Sequence, residues 1–307
     1  MYHYVRPYSQ EFPNFRFLNI ENFKKQLDFF EREYGFVSRS EWLNLVEGEC
    51  YSSSDLTSKK ILLTFDDAMS CHYDYVFPEL LKRGLFGIFY VPASPYIESK
   101  VLDVHRIHIL CGACDGLSLL EIANDLIDET VIDQYKLEEF RERTYTQQDN
   151  YHGVTEFKRL LNYFVDYKFR EAIIDEIQSI AKIPIGLTNF YVSENSLCEM
   201  SNSGMIIGSH SYSHPVMSRL DIYEQRNELE KSFAFLDSIL TSSHRTYCHP
   251  YGGAHSFDQN TVELLNELNV SYSFSVEPRE IIMKDFLEYR QSLPRFDCNL
   301  FPHGKAS

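Results

Sequence analysis

The sequence predicts an α/β fold: a parallel sheet covered by helices on both faces, of a size that suits a single (β/α) barrel carrying an insertion. Three observations carry this. Short, continuously apolar runs such as "KILLTF" (60–65), "LFGIFYVP" (85–92) and "GMIIGSH" (204–210) alternate with amphipathic stretches. Strands apolar on both faces belong to a parallel sheet buried between helices. The chain has 307 residues, 44% hydrophobic and 15% aromatic, which supplies a large core and excludes disorder. The segment 101–200 breaks the strand–helix rhythm with mostly helical, polar sequence, as an insertion within one barrel spanning 1–307 would.

In chain order, "YHYV" (2–5) reads as a first strand. "ENFKKQLDFFEREY" (21–34) places Phe23, Leu27, Phe30 and Tyr34 at helical spacing. The strand 60–65 is followed by a helix "YVFPELLKRG" that ends at Gly84, a C-cap. The strand 85–92 precedes the insertion, and 204–210 follows it. Ser218 with Asp221 reads as a capping box that opens the helix "DIYEQRNELEKSFAFLDSIL". The strand "RTYCHP" (245–250), the helix "DQNTVELLNELN" and the strand "VSYSFSV" (270–276) complete the alternation.

The formal net charge of -16 is a poor match for nucleic acid or for an anionic membrane surface. No run of about 18 apolar residues is present, so no membrane insertion is expected. The opening "MYHYVRPYSQEF" lacks the apolar core of a secretory signal, so the expected location is cytoplasmic. The seven cysteines, at 50, 71, 111, 114, 198, 248 and 298, are odd in number in a chain that is not small, which argues for reduced thiols. "CGAC" (111–114) has no second close pair at zinc-finger spacing and reads as structural thiols. The sequence carries no signal for an oligomeric state.

Four chemistry-bearing segments fall at strand ends: Asp66 and Asp67 after 60–65, His210 and His214 in "GSHSYSHP", "YCHPYGG" (247–253), and "LPRFD" (293–297). The carboxyl ends of barrel strands open onto one face, so these segments should converge. Two imidazoles and one carboxylate make a three-ligand site for a divalent ion, leaving positions for water and substrate. Such an ion acidifies water and polarises a carbonyl. The second carboxylate is then a general base, and a backbone N–H in the turn after Pro250 can face a developing oxyanion. Taken singly, an Asp-Asp pair is more often a solvated turn, and two histidines four residues apart are more often packing than ligands. Their order and their strand-end placement favour a site.

In this order, "TFDDA", "GSHSYSHP" and "HPYGG" resemble the motifs of the polysaccharide deacetylases, the NodB-like carbohydrate esterase family four. The opening "MYHYV" resembles that family's first strand, and the resemblance covers residues 1–100 and 201–300. It implies a distorted (β/α) barrel of about seven strands. It also implies one divalent metal, zinc foremost, and removal of an N-acyl group, acetyl or formyl, from an amino sugar. It implies Asp66 as base, Asp67, His210 and His214 as metal ligands, and the Tyr251 amide in the oxyanion hole. His249 and Pro250 would face substrate. The expected partner is an N-acylated sugar, nucleotide- or lipid-linked, a precursor of a surface polysaccharide.

The sequence also departs from the family. Ala68 follows the acidic pair where Gly is usual. Cys248 stands where many members carry an Arg that orients the base, and Arg295 is the substitute the sequence offers. The late motif supplying the general acid is not recognisable. His105, His108, His249 and His303 are the donors considered, with His105, in "VHRIH", placed in the catalytic set. The rival reading is a non-catalytic sugar-binding or scaffold protein on a decayed deacetylase fold. A hydrolase of a non-sugar amide is a third reading, because fold does not fix substrate.

Overall fold

The structure is a computed structural model that describes residues 1–8, 14–48, 59–146, 150–241 and 244–306. It divides into two compact units, Met1–Pro7 with Phe17–Glu98 and Thr188–Ser307, and Tyr8–Arg16 with Ser99–Leu187.

In the first unit, two short strands near the amino terminus, β1 (Val5–Arg6) and β2 (Leu18–Asn19), pair in parallel. The main sheet is all parallel, in the order β3 (Thr64–Phe65), β4 (Ile88–Val91), β5 (Ile206–Ser209), β6 (Thr246–Cys248) and β7 (Tyr272–Phe274). Single-residue parallel bridges extend both edges, Tyr2 to Phe65 and Phe274 to Leu293. The Met1 nitrogen donates to the Phe296 carbonyl at 2.7 Å, and the Cys298 N–H donates to the Met1 carbonyl at 3.1 Å. Seven staves therefore curl into a distorted barrel, closed where the last stave meets the first. The core follows from the two-sided burial of these strands. Phe65, Phe89, Ile207 and Leu27 pack on one side, and Tyr90, Phe274, Tyr272 and Trp42 on the other.

The helix starts and stops are chemical. Asn19 caps Ile20–Glu33 by accepting from the Glu21 N–H. Gly84 ends Phe77–Arg83 in the left-handed conformation that glycine adopts without cost. The long helix Ile222–Ile239 is capped by Asp221, whose box partner is Glu224, and Ser218 lies one turn earlier in a 3₁₀ segment. Asp221 wins the cap because its side chain reaches the Tyr223 and Glu224 N–H groups. Only Thr64–Phe65 of the expected strand 60–65 joins the main sheet. Ile61 bridges instead to Phe36, so the apolar run reflects burial more than one continuous ladder.

The second unit is helical. Its helices Asp103–Ala113, Gly116–Leu126, Val154–Arg159 and Tyr167–Ala181 surround a core of Ile107, Leu110, Leu119, Phe157, Ile174 and Ile177. Its boundaries differ from 101–200. Residues 188–200 belong to the first unit, because the Val192 N–H bonds the Ala68 carbonyl at 2.8 Å and Leu197 and Met200 join the barrel core. Six cysteines are free thiols, and Cys50 lies outside the described residues. Burial pushes the Cys111 thiol up to about 12, which suits a packed, unreactive group. No helix among the described residues is long and apolar enough to cross a membrane.

Candidate active site

The sheet register sets the site. Phe65 pairs with Phe89, Val91 with Ser209, Ser209 with Tyr247, and Cys248 with Phe274. Asp66 follows Phe65, His210 follows Ser209, and Arg295 stands two residues beyond Leu293. These side chains therefore leave their strands at the carboxyl-terminal rim, where barrel chemistry is assembled. The backbone departs from the strand conformation at once: Asp67, Ala68, Ser211, His214 and Tyr251 all have positive φ, from 50° to 79°. Non-glycine residues held there store strain, typically about 1–3 kcal/mol each, which the surrounding hydrogen bonds must offset. The acidic turn is held by an antiparallel strap. Ser70 N–H donates to the Phe190 carbonyl, Val192 N–H donates to the Ala68 carbonyl, and Met69 bridges to Tyr191.

Asp67, His210 and His214 converge. Asp67 Oδ1 lies 3.5 Å from His210 Nε2 and 3.5 Å from His214 Nε2, and all three residues are buried. Tetrahedral coordination with bonds of about 2.0–2.2 Å puts neighbouring donor atoms about 3.3–3.6 Å apart, so this donor set fits a zinc-sized ion. His210 Nδ1 is 2.8 Å from the Cys248 carbonyl, which keeps its proton on that nitrogen and leaves the Nε2 lone pair for a metal. Burial pushes the His210 imidazole below its ordinary value, which favours the neutral ligand form.

Asp66 has a different environment. The Arg295 guanidinium meets it with two parallel bonds, Nη1 to Oδ1 and Nη2 to Oδ2, both 2.8 Å. Arg295 is fully engaged, donating also to Thr64 Oγ1 at 3.1 Å and to the Ser275 carbonyl at 3.2 Å, with Nη2 2.9 Å from Cys248 Sγ. Burial alone would raise the Asp66 carboxyl; the Arg295 charge and its bonds outweigh it and hold Asp66 well below the usual carboxylate range. Burial drives the Cys248 thiol well up, so the sulfur beside this pair is a neutral thiol.

The remaining expected residues divide. Tyr251 turns the chain after Pro250, which is buried, and its ring packs edge-on against His214 at 5.0 Å. His249 is buried, with Nε2 2.8 Å from the Gln291 carbonyl and 3.2 Å from Ser273 Oγ, and its ring stacks on Phe257. Burial takes its pKa down to about 3. These contacts engage Nε2 and one face of the ring inside the fold. His105 is buried in the helix Asp103–Ala113 of the second unit, beside His108, and His303 is exposed near the carboxyl terminus.

Sequence reasoning missed His3. Its Nε2 lies 4.0 Å from Asp66 Oδ2 and 4.0 Å from Asp67 Oδ2, and its side chain is 38% exposed. Its carbonyl is held by the buried ring of His72, whose Nε2 faces it. Tyr2 pairs with Phe65, so the residue after each enters the same rim. His3 lies inside the stretch 2–5 that the sequence reads as a strand, so no local signal set it apart.

The sequence profile of the polysaccharide deacetylase family matches residues 172–273, which include both histidines and the "HPYGG" turn but not the acidic pair. No curated protein matches the chain. The solved structures that match include three with much the same extent. The Streptococcus pyogenes deacetylase PplD in complex with acetate is 15% identical, covers 96% of this chain and 88% of its own, and has a TM-score of 0.58. A de-N-acetylase from Aggregatibacter actinomycetemcomitans is 14% identical, with 96% and 92% covered and a TM-score of 0.51. IcaB from Ammonifex degensii is 19% identical, with 89% and 81% covered and a TM-score of 0.50. Residues 172–273 resemble the polysaccharide deacetylase family in sequence, and the chain shares the fold of these three solved structures over most of its length.

Proposed function

We propose that the chain is a metal-dependent hydrolase that removes an N-acyl group, acetyl or formyl, from an amino sugar. The observation that carries this reading is the division of the acidic pair: Asp67 shares a donor cluster with His210 and His214, while Asp66 is held ionised by Arg295. When bound, a divalent ion would polarise the amide carbonyl and acidify the attacking water. Asp66 accepts the proton of that water as the new C–O bond forms. The backbone N–H of Tyr251 is assigned to the oxyanion. His3 gives a proton to the departing amine as the C–N bond breaks; its exposure and its closeness to both carboxylates support this role. The non-catalytic alternative drew on Cys248 and on the missing acid motif. Arg295 and His3 provide groups for those two tasks, which favours catalysis.

The test is metal content and turnover together. The purified chain should take up about one zinc per molecule, and should release acetate or formate from at least one member of a panel of free, nucleotide-linked, lipid-linked and polymeric N-acylated amino sugars. Asp66→Asn should keep the metal and lose about 100-fold or more in turnover. A chain that takes up no metal on titration sinks the reading; undiminished turnover in the variant removes Asp66 as base.

A further inference from the structure

The two histidine ligands bracket a loop that has an unusual anchor. Between them, Tyr212 N–H and Ser213 N–H both donate to a single carboxylate oxygen, Glu228 Oε2, at 3.0 and 2.8 Å. The Ser213 hydroxyl donates to the other oxygen, Oε1, at 2.6 Å. Glu228 is only 8% exposed, and it comes from the helix Ile222–Ile239 packed beneath the loop. Four residues further along that helix, on the same face, Ser232 Oγ lies 2.7 Å from Ser209 Oγ. Ser209 accepts from the Ser211 N–H at 3.3 Å, and Ser211 Oγ accepts from the His214 N–H at 3.0 Å. One helix thus holds the loop at two points, through hydrogen bonds that reach the residue next to each histidine.

The loop needs such an anchor. Ser211 and His214 are both in the left-handed region, with φ of 64° and 59°. Neither is a glycine, so the conformation is not one the chain holds by preference. A buried side chain that accepts two backbone N–H bonds and one hydroxyl bond is fixed in place, and so fixes the loop that makes them. The loop conformation in turn sets where His210 Nε2 and His214 Nε2 point, and so whether both reach 3.5 Å from Asp67 Oδ1.

We infer that Glu228 is the positioning residue for the metal-binding histidines, acting through the shape of the 211–213 loop and not through its charge. This rests on the metal site proposed above. The hydrogen-bond pattern separates shape from charge. A glutamine at 228 can place its carbonyl oxygen to accept both N–H groups and turn its NH₂ toward the Ser213 hydroxyl oxygen. An aspartate keeps the charge but is one methylene short.

The experiment measures affinity of the purified full chain for Zn²⁺, by competition with a chromophoric chelator, and the visible spectrum of the Co²⁺-loaded protein. Thermal unfolding of each metal-free chain is the control. Glu228→Gln should bind within a few-fold of the unsubstituted chain and give the same Co²⁺ spectrum. Glu228→Asp and Glu228→Ala should bind about 10- to 100-fold more weakly, as loss of partners behind a ligand shell does, with an altered spectrum. Unchanged affinity and spectrum in a folded Asp or Ala variant overturn the inference. So does a Gln variant that loses as much as Asp, because charge would then be what matters. If Glu228→Ala does not fold, the Gln and Asp pair decides alone. Failure of the unsubstituted chain to take up Zn²⁺ would instead count against the proposed function.

Discussion

Replacing Arg295 with methionine removes a buried charge and leaves its partner behind. Four hydrogen bonds to oxygen are lost, two of them the paired 2.8 Å contacts to Asp66, and a carboxylate that is 2% exposed is left without its counter-ion. Removing one member of a buried pair costs about 3–5 kcal/mol, much of it the desolvation of the charge that remains. Asp66 relieves that cost by taking up a proton, because burial, which raises its carboxyl, is no longer outweighed. The sign then reverses. In the unsubstituted chain the depressed Asp66 contributes stability that is present above its unfolded value near pH 4, and this is lost as pH falls through the folded value. In Arg295→Met the folded carboxyl lies above the unfolded one, so stability falls as pH rises above about 4, by up to about 1.4 kcal/mol per pH unit. Urea unfolding at a series of pH values from 4 to 8 measures this. The double variant Asp66→Asn with Arg295→Met should recover part of the loss, because neither member of the buried pair is then left charged without its partner. The acid limb of the pH–rate profile should move to higher pH as Asp66 protonates. A stability–pH slope equal to that of the unsubstituted chain, with an unmoved acid limb, would refute the assignment of Arg295 as the group that keeps Asp66 ionised.

Two further outcomes are expected. His3→Gln should retain metal and fold but lose about 100-fold or more in kcat on amide substrates, with a much smaller loss on an ester whose leaving group needs no proton. Equal losses on both would remove His3 as the proton donor. Gly252→Ala should lower stability by more than about 1 kcal/mol, because its φ is +69° and an added Cβ would sit 2.3 Å from Val276 Cγ2; an unchanged unfolding midpoint would contradict the tight packing of that turn against Val276.

The fold was legible because the strands of the main sheet are buried throughout and lie in largely apolar runs, and because helices such as Ile20–Glu33 and Ile222–Ile239 carry an apolar stripe and a capping side chain. The donor cluster was legible for a local reason. Asp66 with Asp67, and His210 with His214, are each written within a few residues, at the ends of strands that the apolar runs reveal. What was not legible depends on distant side chains meeting. Arg295 was named only as a substitute for the residue missing at 248. Its fork on Asp66 comes from a segment 229 positions away, whose direction no spacing encodes. His3 was passed over because "MYHYV" holds no pattern that separates a rim histidine from a strand residue. The choice of His105 gave weight to a histidine pair that the structure packs into the helical unit. His249 stood in the right motif, but burial and the Gln291 carbonyl claim its ring.

The closure of the barrel has a consequence for how the site is divided. Residues 293–296 form the last stave: Leu293 pairs with β7, Arg295 reaches Asp66, and the Phe296 carbonyl receives the Met1 nitrogen. The cluster of Asp67, His210 and His214 draws on staves that precede this one in the chain. The three residues of the donor cluster therefore come from parts of the chain other than the stave that supplies the counter-ion of Asp66. On the function proposed above, the last stave serves the base and not the metal, so loosening it, by shortening the chain after Leu293 or replacing Arg295, should cost turnover while metal uptake stays.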